Sequence, residues 1–185
     1  MTSGTLLLAF LTLQRLSELV IASRNTKALL AHGAYERGAG HYPVMVALHA
    51  TWLASLWFFG WNQAASAPFV VVFAVLQAGR LWVLLALGRR WTTRIIIVPG
   101  LAPVTSGPFR FVRHPNYLVV ALEIPCVSLA LGLVWHAALF AALNFAMLWW
   151  RIRAENHAFT EQSVRTPAET ECVVGTLAYG VPGDR

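Results

Sequence analysis

Two short stretches of this 185-residue chain concentrate the side chains that could do polar chemistry. The first is Val104-Thr105-Ser106-Gly107-Pro108-Phe109-Arg110-Phe111-Val112-Arg113-His114-Pro115-Asn116-Tyr117, which sets a guanidinium, an imidazole and a phenol directly before a long apolar run. The second is Arg151-Ile152-Arg153-Ala154-Glu155-Asn156-His157, directly after that run, where Arg151 and Glu155 are one helical turn apart on a shared face. Such groups hold a charged small molecule and move a proton. They also fit a plainer role: Arg, His and Tyr favour the membrane–water boundary, Pro115 suits a first helical turn, and Arg151 with Glu155 makes a local ion pair.

What lies between the two stretches decides whether they act together. Leu118 to Trp150 is an apolar run of about 33 residues, interrupted by Pro125 and Gly132. A span of the roughly 30 Å hydrocarbon core takes about 20 residues, so this run reads as a helical hairpin turning near Gly132 to His136. A hairpin brings both stretches to the same membrane face, and two candidate sites become one pocket.

The rest of the chain supports a membrane frame. Composition is 57% hydrophobic and 12% charged, and the charged share is roughly half that of a soluble domain. Thr5 to Ala22 reads as a first span, followed by Ser23-Arg24-Asn25 and a polar stretch through Gly33, Gly38 and Gly40 that breaks the helix. A second span runs from Pro43 to Trp61, with Trp52, Trp57 and Trp61 toward its far end. A third runs from Ala67 to Gly88 after the short Asn62-Gln63-Ala64-Ala65-Ser66 connection. Trp91 to Tyr117 holds Pro99, Gly100, Pro103, Gly107, Pro108 and Pro115 and reads as a long loop. The predicted fold class is thus an all-α integral membrane protein of about five transmembrane helices, with a C-terminal helical hairpin and a cytoplasmic pocket. It forms one domain over 1–185: three N-terminal spans in 1–88, loop, hairpin and Arg-Glu element in 89–160, and a polar tail in 161–185.

Charge gives the orientation. Basic residues fall in the first loop (Arg24, Lys27, Arg37), between Arg89 and Arg113, and after the last span (Arg151, Arg153), while the other connections have none. The positive-inside rule then puts the N-terminus outside and the C-terminus in the cytoplasm. The net charge of +6 reflects those flanks and makes no continuous basic face, so nucleic acid is not an expected partner. Membrane lipids and a lipophilic small molecule are the expected partners, and the oligomeric state is left open. Cys126 in an apolar run and Cys172 in the tail are not expected to pair. The first apolar run has no basic lead and contains Arg15 and Glu18, so it is expected to remain as a helix. Arg15, Glu18, Arg80 and Glu123 are charges within spans and need partners, on neighbouring helices or in a substrate cavity. His32, His41, His49, His136 and His157 include no pair at metal-binding helical spacing, and no metal is expected.

The Thr105 to Tyr117 and Arg151 to Glu155 segments, in that order and on either side of a hairpin, resemble the isoprenylcysteine carboxyl methyltransferase family. The N-terminal half, with Gln14-Arg15-Leu16-Ser17-Glu18-Leu19, Asn25-Thr26-Lys27 and His41-Tyr42-Pro43, resembles the bacterial branch associated with O-methylation of alkylpyrone polyketides. The resemblance implies a membrane methyltransferase using S-adenosyl-L-methionine, held among Leu101, Ala102, Pro103, Val104, Phe109, His114, Pro115, Asn116, Tyr117 and Glu155. Arg151 would face the methyl acceptor and Arg113 would flank the reacting centre, so that Arg113, Arg151 and Glu155 form the catalytic set. Phe109, Asn116 and Asn156 depart from the Tyr, Ser and acidic residue of the eukaryotic enzymes, which points the acceptor away from prenylcysteine, while the N-terminal resemblance implies an alkylpyrone-type or similar hydroxyl first and an isoprenylcysteine-type carboxylate next. A carboxylate acceptor needs no base and would pair with Arg151 or Arg113. An enol or phenol must lose a proton, with Glu155 or His114 as candidate base. Two other readings stand beside this one. Arg113-His114-Pro115-Asn116-Tyr117 also resembles a string beside the NADPH site of membrane sterol reductases, and a noncatalytic membrane scaffold would use the same residues only as anchors.

Overall fold

The computed structural model describes residues 2–101 and 104–165, with side chains through residue 155. Ala102 and Pro103, expected to touch a cofactor, and the tail from residue 166 with Cys172 lie outside the described residues.

The described residues form five α-helices: α1 (Ser3–Ala31), α2 (Tyr42–Gly60), α3 (Ala67–Leu87), α4 (Pro115–Ala130) and α5 (Val134–Arg165). The Thr2 hydroxyl caps α1 by accepting from the Thr5 N–H, and prolines in the first turn start α2, α3 and α4, where the missing N–H costs nothing. α1 runs past the expected end at Ala22. No glycine or proline interrupts Thr5 to His32, so helix continues through Ser23-Arg24-Asn25 and stops only before Gly33, which sits at φ +85°. The hairpin is present as expected: Leu131 ends α4, Gly132 takes φ +74°, and α5 starts at Val134.

The expected long loop holds more structure than its prolines suggested. Ile95–Ile97 (β2) pairs antiparallel with Tyr35–Arg37 (β1), Tyr35 opposite Ile97 and Arg37 opposite Ile95. Ile95 and Ile97 are buried against Ala154 of α5, so this two-stranded ribbon lies on the last helix beside Glu155. Arg94 donates to both Glu36 carboxylate oxygens at 3.0 and 2.8 Å and lies over the Tyr42 ring at 4.2 Å. The Glu36 bonds raise the Arg94 pKa above its ordinary value.

The core joins Leu7, Leu8 and Leu11 of α1, Trp52 and Leu56 of α2, Phe73 of α3 and Ile124 and Val127 of α4 with Phe140 of α5. Outward faces are also apolar: Phe58 is 77% exposed, Leu85 72% and Val75 67%. Patches of that kind on every outer face suit lipid rather than water. Among the described residues, three helical segments, Ser3–Ala31, Ala39–Gly60 and Ala67–Arg90, are long and apolar enough to cross a membrane. α4 is shorter, at 16 residues or about 24 Å of helix.

Six polar side chains meet inside this apolar frame. Arg15 contacts Glu18 at 3.3 Å and Glu123 at 2.8 Å, while Arg80 contacts Glu18 at 2.9 Å and also Glu123. Gln14 and Gln77 bridge the same carboxylates and bond each other at 2.5 Å. Two guanidinium and two carboxylate groups from α1, α3 and α4 cancel in charge, so of the two roles open to them, pairing between helices is the one observed. At the opposite end of the hairpin, His136 bonds Ser128 at 3.0 Å and Ser55 at 2.8 Å, joining α2, α4 and α5.

Candidate active site

Helix α4 starts at Pro115 with Tyr117 in its first turn, and α5 comes back past it with Arg151 and Glu155 one turn apart. The Tyr117 hydroxyl donates to Glu155 Oε2 at 2.5 Å and accepts from Arg151 Nε at 2.9 Å. Arg151 is buried, its guanidinium lies 5.3 Å from the Tyr117 ring centre, and its Nη1 reaches Met45 Sδ of α2 at 2.8 Å. His114 stacks on Tyr117 with ring centres 5.1 Å apart and planes 12° from parallel, and its Nδ1 lies 3.8 Å from Glu155. The two motif stretches therefore form one cluster at one end of the helical hairpin.

Not every expected residue joins it. Arg113 and Leu101 are exposed, Val104 and Phe109 are half-buried on the preceding loop, and Pro115 is buried as the start of α4. Asn116 has a buried side-chain oxygen with no hydrogen-bond partner. Such an orphaned acceptor suits a ligand that brings its own N–H groups.

These residues offer the groups that a cationic small molecule with a flat ring would need. Glu155 supplies a carboxylate for a cationic centre, the His114–Tyr117 stack supplies a flat aromatic surface, and Asn116 supplies an unsatisfied acceptor. Residues 69–161, from α3 to the far part of α5, match the isoprenylcysteine carboxyl methyltransferase family. The whole cluster of Tyr117, Arg151 and Glu155 lies inside that match.

The chain belongs to this methyltransferase family. A Bacillus subtilis relative, the uncharacterized protein YpbQ, is 37% identical over 165 residues, covering 86% of this chain and 98% of its own. An uncharacterized protein of Haemophilus influenzae is 27% identical over 156 residues, covering 79% of this chain and 88% of its own. No solved structure matches the chain. Membership makes the protein a membrane methyltransferase and gives the cluster a chemical context.

Within that context two residues stand out that motif reading did not select, Met45 and His41. Met45 is a direct neighbour of Arg151. His41 ends a 3-10 turn over Ala39–His41, is buried at 2% exposure, and meets Trp150 edge to face with ring centres 6.4 Å apart. The signal available for His41 was its place in the His41-Tyr42-Pro43 segment; nothing in the local spacing ties it to residues on α5.

Proposed function

We propose that this protein transfers a methyl group from S-adenosyl-L-methionine to an oxygen of a lipophilic acceptor, an alkylpyrone-type hydroxyl before an isoprenylcysteine-type carboxylate. The observation behind this reading is the unbroken chain from Arg151 through Tyr117 to Glu155, formed by residues that the family match covers. In this reading the chain crosses a bacterial inner membrane five times. The basic flanks on Arg24, Arg89, Arg151 and their neighbours support a cytoplasmic C-terminus and cofactor site.

His114, Asn116, Tyr117 and Glu155 hold the donor, together with Leu101, Val104 and Phe109 of the loop and Pro115 at the helix start. The bound donor supplies an electrophilic methyl on a sulfonium. The protein's share of catalysis is mainly position, because an in-line displacement rewards fixed geometry. Tyr117 locks Glu155 and Arg151 relative to each other, and Arg151, held also by Met45, faces the acceptor oxygen and stabilises its negative charge. Arg113 flanks the mouth of the site from the exposed side. The acceptor arrives from the bilayer along the apolar faces of the helices.

The reading is tested by calorimetric titration of the detergent-solubilised protein with S-adenosylhomocysteine and, separately, NADPH. Saturable binding of the first, abolished by Glu155→Ala and by Tyr117→Ala, is the expected result. Binding of NADPH alone would assign a reductase, and binding of neither would leave a scaffold.

A further inference from the structure

His41 is a buried imidazole whose ring nitrogens make no hydrogen bond of good geometry, their nearest polar neighbour being the Gly38 backbone. A neutral imidazole needs one donor and one acceptor partner, and burying a polar group without them is unfavourable. Packing alone does not account for a histidine at such a position, since a hydrocarbon or phenyl group would fill it without that cost.

Its surroundings connect it to the cluster described above. The 3-10 turn that ends in His41 packs on α5, where a Cβ added at Gly38 would lie 3.4 Å from Ala154 Cβ and 3.4 Å from His41 Nδ1. Trp150 of α5 meets its ring, and the next residue along α5 is Arg151. The charged groups within electrostatic reach are Glu36 on β1 and Arg151 and Glu155 on α5. The ribbon, anchored by Ile95 and Ile97 on Ala154, holds this turn against the helix that bears the site.

Resting on the methyltransferase reading, we infer that His41 is the proton acceptor for a hydroxyl-bearing methyl acceptor. The acceptor O–H proton passes to a free ring nitrogen of His41. The oxygen electron pair forms the new O–CH3 bond while the CH3–S bond of the sulfonium donor breaks, its electron pair staying on sulfur. The histidinium then returns its proton to solvent. Glu155 is less suited to this step because its carboxylate already accepts from Tyr117 and faces His114. Arg151 stands beside the developing oxyanion, and a basic nitrogen nearby completes the pair of groups that such an oxygen needs.

The experiment uses the full chain in detergent or nanodiscs with three probes: a long-chain 4-hydroxy-2-pyrone, a long-chain alkylresorcinol and S-farnesylcysteine. It compares wild type with His41→Gln, which can still accept a hydrogen bond but takes no proton, and with His41→Phe. S-adenosylhomocysteine binding should stay within about twofold in both variants. His41→Gln should lose about 100-fold or more in kcat on the hydroxyl probes, the usual range for a general base, and should lack the acid limb of the wild-type pH profile. His41→Phe should in addition weaken binding of the hydroxyl probe about tenfold, as for one lost hydrogen bond, while leaving binding of its O-methylated product unchanged. Wild-type rates in His41→Gln would overturn the proposal, as would methylation of S-farnesylcysteine alone. Failure of the wild type to bind S-adenosylhomocysteine or methylate any probe would instead remove the methyltransferase reading and this inference with it.

Discussion

Tyr117 is the residue on which the other site groups converge, since a single phenol oxygen bonds both Glu155 and Arg151. Tyr117→Phe keeps the ring for His114 and removes both bonds. Both bonds lie within the protein and run to charged groups, each contributing about 1.5–3 kcal/mol, so the thermal unfolding temperature should drop, and affinity for S-adenosylhomocysteine should fall by calorimetry because Glu155 and Arg151 are no longer held in place. Arg151→Lys should abolish methyl transfer even though charge is kept. One guanidinium reaches Tyr117 with Nε and Met45 with Nη1, and an ammonium cannot span that fork. Much of this was readable in advance, because Arg151 and Glu155 share a helical face and Tyr117 begins the hairpin that returns to them. His41 and Met45 were not, because their proximity to α5 depends on contacts between segments far apart in the sequence.

At the scale of elements, helix starts were the most legible feature. Pro43 and Pro115 stand in first turns, as their fixed φ requires, and Gly132 makes the hairpin turn. The end of α1 was less so: polar residues from Ser23 onward mark departure from an apolar environment, whereas helix ends only where a glycine permits it, at Gly33. The ribbon was hidden because Tyr35-Glu36-Arg37 is too short to show alternation, and its partner lies beyond two helices in the sequence. The polar network between α1, α3 and α4 supplies the sharpest test at this scale. Glu123 is fully buried and pairs with Arg15 and Arg80, so Glu123→Ala leaves buried positive charge uncompensated. Breaking a buried pair in this way costs about 3–5 kcal/mol, which should appear as a large drop in thermal unfolding temperature in detergent. Close approach gives a second test. A Cβ at Gly4 would lie 2.3 Å from the Gln63 carbonyl oxygen, and Gly4 also donates to that oxygen at 3.1 Å. Gly4→Val should therefore cost about 1–3 kcal/mol, the usual range for overpacking.

For the molecule as a whole, the pattern of basic residues and the ends of the bundle make a joint prediction about topology. The Gln63 turn, the start of α1 and the hairpin turn near Gly132 share one end: Gly4 bonds Gln63, and Ser66 bonds Ala130 at 2.8 Å. Asn25, bonded to Gly88 and Trp91, lies with Arg89 toward the other end. In a chain whose own Cys126 and Cys172 are replaced by serine, a cysteine at Gln63 should react with an impermeant maleimide from outside intact cells. One at Arg89 should react only after permeabilisation. The opposite pattern would invert the protein and move the site to the outer face.

Methyl transfer to a lipophilic oxygen at the Arg151–Tyr117–Glu155 cluster is tested most directly by incubating the nanodisc-embedded protein with methyl-labelled S-adenosyl-L-methionine and a long-chain 4-hydroxy-2-pyrone. Mass spectrometry of the lipid fraction should show a labelled methyl ether whose formation is lost in Arg151→Lys and Glu155→Ala; label absent from every lipid species, or formed equally by both variants, would contradict methyl transfer at this cluster.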